Sequence, residues 1–236
     1  DPETENNALA RTSDLIEELG QVDFIFSDKT GTLTKNEMIF RKCSINNVIY
    51  GSNNNVVDAD TKENKYLLNG DPSCFNVIKN FNHPEYKNVT DFFNICSVCH
   101  EAYVEEKRGT VQSSSPDEVA LIEGGKMVGF NFKNKTPGTI ETFIEHTQEK
   151  IIWEVSLVLK FDSTRKRMSV IVNKENSDEF WLFTKGADTQ MLAAMTLPQN
   201  KLSEINSHLG LFAKEALRTL VMAKKQLKKS EVDDYV

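Results

Sequence analysis

The chain has 236 residues, enough for one or two domains, and its 39% hydrophobic residues supply a sizeable core. A formal net charge of −7 argues against a nucleic acid or an anionic membrane surface as the main partner. No stretch approaches the roughly 20 apolar residues of a spanning helix, and there is neither a signal peptide nor an initiator Met, so the opening Asp1-Pro2-Glu3-Thr4 reads as the start of an excised piece. Cys43, Cys74, Cys96 and Cys99 are too few and too irregular for a disulfide scaffold and read as reduced thiols in a cytosolic domain.

Residues 7–20 read as a polar lead-in followed by a short helix that starts near Ser13 and stops at Gly20. An apolar run over 22–26 then feeds Asp28 and a Gly/Thr-rich turn, FIFSDKTGTLT over 24–34. A buried strand that delivers a carboxylate to its C-terminal edge has this pattern, and open α/β sheets place their chemistry at that edge. Gly31 lets the backbone approach a ligand closely, and successive amides with the Thr30 and Thr32 hydroxyls can hold phosphate oxygens. A carboxylate in that position can act as a nucleophile and form an aspartyl phosphate. Two places on, an acid could activate water and give a phosphatase. Thr30 cannot, so an acyl phosphate on Asp28 is expected to persist, as a pump cycle needs.

The string DKTGTLT after an apolar strand resembles the phosphorylation signature of the P-type ATPases, and ALARTSDLIEELGQV over 8–22 resembles the phospholipid-transporting P4 branch, the lipid flippases. That resemblance implies that residues 1–40 are a fragment of the HAD-like phosphorylation (P) domain carrying the DKTGT loop. It implies that residues 41–236 are the nucleotide-binding (N) domain, truncated at its C-terminus. In the intact enzyme Asp28, Lys29, Thr30 and Thr32 are the implied catalytic residues, and Asp28 with the Thr30 carbonyl is the implied part of a Mg²⁺ site.

Beyond Lys35, residues 46–87 are rich in Asn, Asp, Gly and Lys and poor in periodicity, and are expected to form a long mobile excursion with one hairpin. Over 89–104 a helical spacing of Val89, Phe92, Phe93, Ile95, Cys96 and Cys99 is expected. Within it, CSVCH over 96–100 matches a haem-attachment pattern, but no second CxxC for zinc is present and the thiols read as small core residues. SSSPDE over 113–118 predicts a helix start, with Ser115 as N-cap, Pro116 at the first position and Glu118 closing a capping box. The P4 pattern has the same Ser-Pro-Asp-Glu, which implies that Glu118 contacts the adenine end of ATP. Both roles are compatible. Gly124-Gly125 is expected to weaken this helix before Phe130.

Strands are expected over 139–146, 150–161, 167–173 and 179–185, with short connections that imply a mainly antiparallel sheet. On residues alone Phe161 reads as core, the basic cluster 165–167 as a solvated loop or a localisation signal, and Lys185 as a strand-end cation before the Gly186 turn. The resemblance implies instead that Phe161 stacks on adenine, with Ser163 as a nearby polar contact and Lys185 and Gly186 lining the pocket. A helix from Asp188 through Met195 is expected next, then an amphipathic helix over 201–216 with Leu202, Ile205, Leu209, Phe212 and Ala213 on one face. A last strand is expected at 217–221. Arg218 alone reads as an exposed strand end with an ion pair, whereas the resemblance implies a grip on the ATP phosphates.

The fold class expected is α+β, a mainly antiparallel sheet with flanking helices, preceded by the P-domain fragment. The resemblance implies an ATP-hydrolysing phospholipid translocase as the full-length protein, with ATP and Mg²⁺ as cofactors and this piece alone inactive. Its partners are then ATP, a phospholipid bound by an absent transmembrane domain and an accessory membrane subunit, but no nucleic acid. The resemblance also implies that the piece is a cytosolic domain of an integral membrane protein. The alternative is a P4-like regulatory module fused to another catalytic domain, which binds ATP without transport. The presence of both Asp28 and Lys185 favours the transporter.

Overall fold

The computed structural model describes residues 18, 20–29, 31–51, 72–105 and 109–235. The chain divides into two compact units, residues 1–37 and 38–236. In the first unit the helix expected to end at Gly20 lies almost wholly outside the described residues, as does Thr30. The buried strand expected over 22–26 is not formed. Phe24, Ile25 and Phe26 are exposed, Phe26 at 95%, and among the described residues of the unit no neighbouring strand covers them.

The second unit is built on one antiparallel sheet. Its strands β5 (Phe130–Thr136), β6 (Thr139–Ile144), β7 (Glu149–Asp162), β8 (Arg167–Lys174), β9 (Phe180–Gly186) and β10 (Val221–Leu227) pair in the order β10-β9-β8-β7-β6-β5. Every pairing is antiparallel. Local turn chemistry sets much of this meander. Between β5 and β6 stands Pro137-Gly138, with Gly138 at φ +84, which suits the second central position of a type II turn. Two small hairpins flank the sheet: β1 (Cys43–Ile45) with β2 (Val48–Tyr50), and β3 (Tyr103–Glu105) with β4 (Thr110–Gln112). Asn46 and Asn47, both at positive φ, make the two-residue turn of the first, as residues with short polar side chains can.

The helices are α1 (Pro72–Lys79), α2 (Tyr86–Val98), α3 (Pro116–Met127), α4 (Asp188–Ala194), α5 (Gln199–Lys214) and α6 (Lys229–Asp233). The main core joins α2 and α3 to one face of the sheet, through Val89, Phe93, Cys96, Cys99 and Ile122 against Ile140, Trp153, Met168, Val170, Val172 and Phe183. Alternation along β8 sends Met168, Val170 and Val172 to this core, and Ile171 to a smaller one with Leu227 and Val232. Cys96 and Cys99 are thus core thiols, and burial pushes both up to about 12, where they are inert.

Several local expectations change. A helix, α1, and the strand β4 stand where no element is expected; α2 stops at Val98 and β3 begins at Tyr103, inside the stretch 89–104 where helical spacing is expected; and β5 adds a sixth strand to the sheet. Gly124 and Gly125 do not interrupt α3, which runs to Met127. They are contact points instead: a Cβ on Gly124 would lie 2.6 Å from the Phe40 ring, and one on Gly125 3.1 Å from Ser97 Oγ. The last strand begins at Val221, the final residue of the segment expected to form it. Ala213 is exposed, because the apolar stripe of α5 ends at Phe212 near the helix terminus.

Candidate functional site

Glu118 is the centre of the site in the second unit. Its helix starts as expected, with Ser115 extended at the N-cap and Pro116 in the first turn, but the capping box is not made. The Glu118 carboxylate turns away from the cap. Its Oε1 accepts from Lys185 Nζ at 3.0 Å, and its Oε2 accepts from Ser113 Oγ at 2.8 Å and from the Glu101 amide at 3.1 Å. Glu101 and Ser113 bracket the β3–β4 hairpin, so one carboxylate oxygen ties together both ends of that excursion.

Lys185 reaches this point because β9 carries it on the core-facing side, two residues after the buried Phe183. Both side chains of the Lys185–Glu118 pair are only 9% exposed. Burial pushes the Glu118 carboxyl up. The Lys185 ammonium and hydrogen bonds from Ser113, Lys185 and the Glu101 amide outweigh it, leaving the group below the usual carboxylate range. Gly186 is fixed by close approach: a Cβ there would lie 2.5 Å from Arg167 Cβ and 2.6 Å from the Lys166 carbonyl oxygen.

Phe161 is placed by a β-bulge. Leu159 pairs with Ser169 and Asp162 with Arg167, so Lys160 and Phe161 together oppose the single residue Met168. Met168 in turn pairs with Lys185. Phe161 is 63% exposed, an aromatic face open to solvent rather than a core ring. Its neighbour Lys160 reaches Glu101 at 2.7 Å. The next turn is held by Asp162, whose Oδ1 accepts from the Thr164 and Arg165 amides at 2.8 and 2.9 Å, and Ser163 lies exposed within it. Arg218 precedes β10, 65% exposed, and its Nη2 lies 3.0 Å from Oδ2 of Asp117, the residue before Glu118.

Glu118, Lys185, Phe161 and Arg218, separated by up to a hundred residues in sequence, therefore sit around the first turn of α3 and the adjoining ends of β7 and β9. The sequence pattern did not single out Ser113, Glu101 or Asp117 as partners. Only the capping-type spacing around Ser115 hinted that hydroxyls and carboxylates would meet there. His100 lies beneath, fully buried, with Nε2 donating to the Ser97 carbonyl at 2.9 Å and its ring edge against Phe132. Burial lowers its pKa to about 4, keeping the imidazole neutral.

A separate cavity of about 660 Å³ opens beside α5, walled by Phe40, Phe92, Ile205, Leu209 and Phe212. It touches Asp117 and Arg218 but not Glu118, Phe161 or Lys185, and its lining mixes those apolar walls with the cations Arg41, Lys42, Lys201 and Lys224.

In the first unit the loop after Asp28 folds around one carbonyl. The Lys29 oxygen accepts from the Leu33 and Thr34 amides, each at 3.0 Å, and from Thr34 Oγ1 at 3.1 Å. Asp28 and Thr32 are exposed, and Gly31 takes φ +82. Among the described residues no three His, Cys, Asp or Glu side chains gather as a metal-holding group, so these residues do not by themselves make a magnesium site.

Residues 88–235 match the family model for the P-type ATPase cytoplasmic domain N. The chain belongs to the P-type ATPase family. The chain is similar to phospholipid-transporting ATPase IC of Xenopus tropicalis, at 38% identity over 97% of this chain and 19% of that protein. It is similar also to phospholipid-transporting ATPase ID of Mus musculus, at 38% over 97% of the chain and 20% of that protein. A third relative is the probable phospholipid-transporting ATPase IM of Homo sapiens, at 38% over 93% and 20%. The chain spans about a fifth of the length of these relatives. The α+β fold with its antiparallel six-stranded sheet is that expected of an N domain. No helix among the described residues is long and apolar enough to cross a membrane.

Proposed function

We propose that the second unit binds ATP through the cluster at the first turn of α3, and that the chain is the nucleotide-binding and phosphorylation-loop portion of a phospholipid-translocating ATPase. The observation that carries this reading is the buried Lys185–Glu118 pair with a solvent-open aromatic ring, Phe161, set across β8 from Lys185 by the bulge opposite Met168. An adenine ring laid on Phe161 exchanges water for a stacked contact. Its amino group donates to Glu118, an ionised carboxylate that can only accept. Arg218, on an exposed pair with Asp117, exchanges that partner for phosphate oxygens, where its guanidinium geometry gives a two-point grip.

In the parent protein, Asp28 attacks the γ-phosphorus in line. One carboxylate oxygen forms the new P–O bond, the bond to the β–γ bridging oxygen breaks, and ADP leaves with the bonding pair. Lys29 and Thr32 steady the transferred oxygens. Thr30 takes the place where a water-activating acid would shorten the life of the acyl phosphate. The donors that complete a magnesium site, the lipid pathway and any accessory membrane subunit belong, in this reading, to the rest of the parent. The N domain faces the cytosol, the source of ATP.

Since only the adenosine end and part of the phosphate chain find partners, affinity is expected on the order of 0.1–1 mM. Titration calorimetry on the chain should show this binding, with Phe161→Ala abolishing it and Leu211→Ala, on the exposed side of α5, leaving it intact. Equal affinity in wild type and Phe161→Ala would overturn the proposed pocket.

A further inference from the structure

Glu118 is nearly saturated before any ligand arrives. An ionised carboxylate offers about four lone-pair positions. Both on Oε2 are taken, by Ser113 Oγ at 2.8 Å and the Glu101 amide at 3.1 Å, and one on Oε1 is taken by Lys185 Nζ at 3.0 Å. One position remains, on Oε1, next to an ammonium with two unused N–H groups. That residual edge, one acceptor beside one donor, has consequences for which base can bind.

Resting on the reading of this cluster as the base pocket, we propose that Ser113 is a specificity-determining residue, which excludes guanine by occupying the carboxylate position that guanine would need. Adenine presents one amino donor beside the ring-nitrogen acceptor N1. One free position on Glu118 and one N–H of Lys185 satisfy that edge. Guanine presents two adjacent donors, N1–H and the 2-amino group, which together require both oxygens of a carboxylate. With Oε2 filled, the second donor is left unpaired in a desolvated site, and an unpaired buried donor is costly.

The Glu101 amide belongs to the backbone and only proline would remove it, at the cost of a fixed φ, whereas Ser113 is a side-chain hydroxyl on the segment between β4 and α3. Ser113 also accepts from the Ser115 amide at 3.1 Å, which fixes the direction of its own proton toward Glu118. The residue therefore acts through Glu118 as a positioning group and need not touch the base.

The test is the ratio of GTP to ATP dissociation constants, measured by titration calorimetry on the 236-residue chain and on Ser113→Ala and Ser113→Thr. Ser113→Ala frees one position on Oε2, and the ratio is expected to fall by about tenfold, the worth of one charge-assisted hydrogen bond. Ser113→Thr retains the hydroxyl and should retain the wild-type ratio. A loosened or partly unfolded pocket would weaken both nucleotides together and leave the ratio unchanged, and that result overturns the proposal. Wild-type chain that binds ATP while Ser113→Ala keeps its selectivity refutes the role of Ser113 alone. Wild-type chain that binds neither nucleotide refutes the base pocket and this role with it.

Discussion

Replacing Lys185 by Met tests the energetic role of the buried pair. Both side chains are 9% exposed, so removal of the ammonium leaves Glu118 inside the protein without its counter-charge. Breaking a buried pair from one side costs about 3–5 kcal/mol. Here the Ser113 hydroxyl and the Glu101 amide still donate to Oε2, so the lower end, about 3 kcal/mol, is expected. For a unit of this size that corresponds to a fall of roughly 6–12 °C in Tm. Denaturant unfolding followed by the fluorescence of Trp153 and Trp181, both on the sheet, reads the loss. The double substitution Lys185→Met with Glu118→Leu removes both charges and should recover most of it, since apolar replacements of a buried pair are often neutral. The deficit of Lys185→Met alone should also shrink as pH falls, because a carboxyl without its cation takes up a proton more readily on burial. A loss below about 1 kcal/mol, the range of exposed pairs, or simple additivity of the two substitutions, would refute the assignment of a tightly coupled pair.

Three further outcomes are expected. The neutral buried His100 titrates near 4 in the fold and near 6.5 unfolded, so the unfolded state binds more protons between these values. Stability contributed by this group is therefore present above about pH 6.5 and lost as pH falls towards about 4, by on the order of 3 kcal/mol, and His100→Gln should flatten the stability–pH curve over that window. Gly186→Ala forces a methyl into backbone at 2.6 Å and should destabilise by about 1–3 kcal/mol in thermal melts, with nucleotide affinity falling in parallel. Incubation of the 236-residue chain with γ-labelled ATP and Mg²⁺ should give no acid-stable phosphoenzyme, whereas the parent should label, and parent Asp28→Asn should bind ATP without labelling. Label on Asp28 of the chain itself would mean that the loop needs far less support than phosphoryl transfer is argued to demand.

The sequence made the sheet legible from β6 to β9, because those strands combine β-branched alternation with local turns such as 174–180. β5 was harder to see. A register shift between Phe132 and Asn134 breaks the period-two pattern, and three polar residues follow it. The glycines of α3 misled for a related reason: their role lies in contacts with Phe40 and Ser97, distant in sequence, and helix propensity carries no trace of that. At the site, the residue types of Glu118, Phe161, Lys185 and Arg218 were readable by resemblance, but their partners were not. Ser113 stands close to Glu118 in sequence, but capping chemistry paired Glu118 with Ser115 and gave Ser113 no role. Only the return of β9 to the first turn of α3 shows that the carboxylate answers Lys185 instead of its own N-cap. The apolar run before Asp28 was legible as a strand by composition, but a strand needs neighbours, and the described residues of the first unit supply none to cover Phe24, Ile25 and Phe26.

The most direct test of nucleotide binding is an amide-resolved NMR titration of the isotopically labelled chain with ATP. The account predicts saturable shifts at the amides of residues 113–118, 160–163 and 185–187 and near Arg218, with the far ends of the strands, the turns at 145–148 and 175–178, unmoved. Shifts confined to the cavity beside α5, at residues such as Ile205, Leu209 and Phe212, or no saturable shift at millimolar ATP, would contradict it.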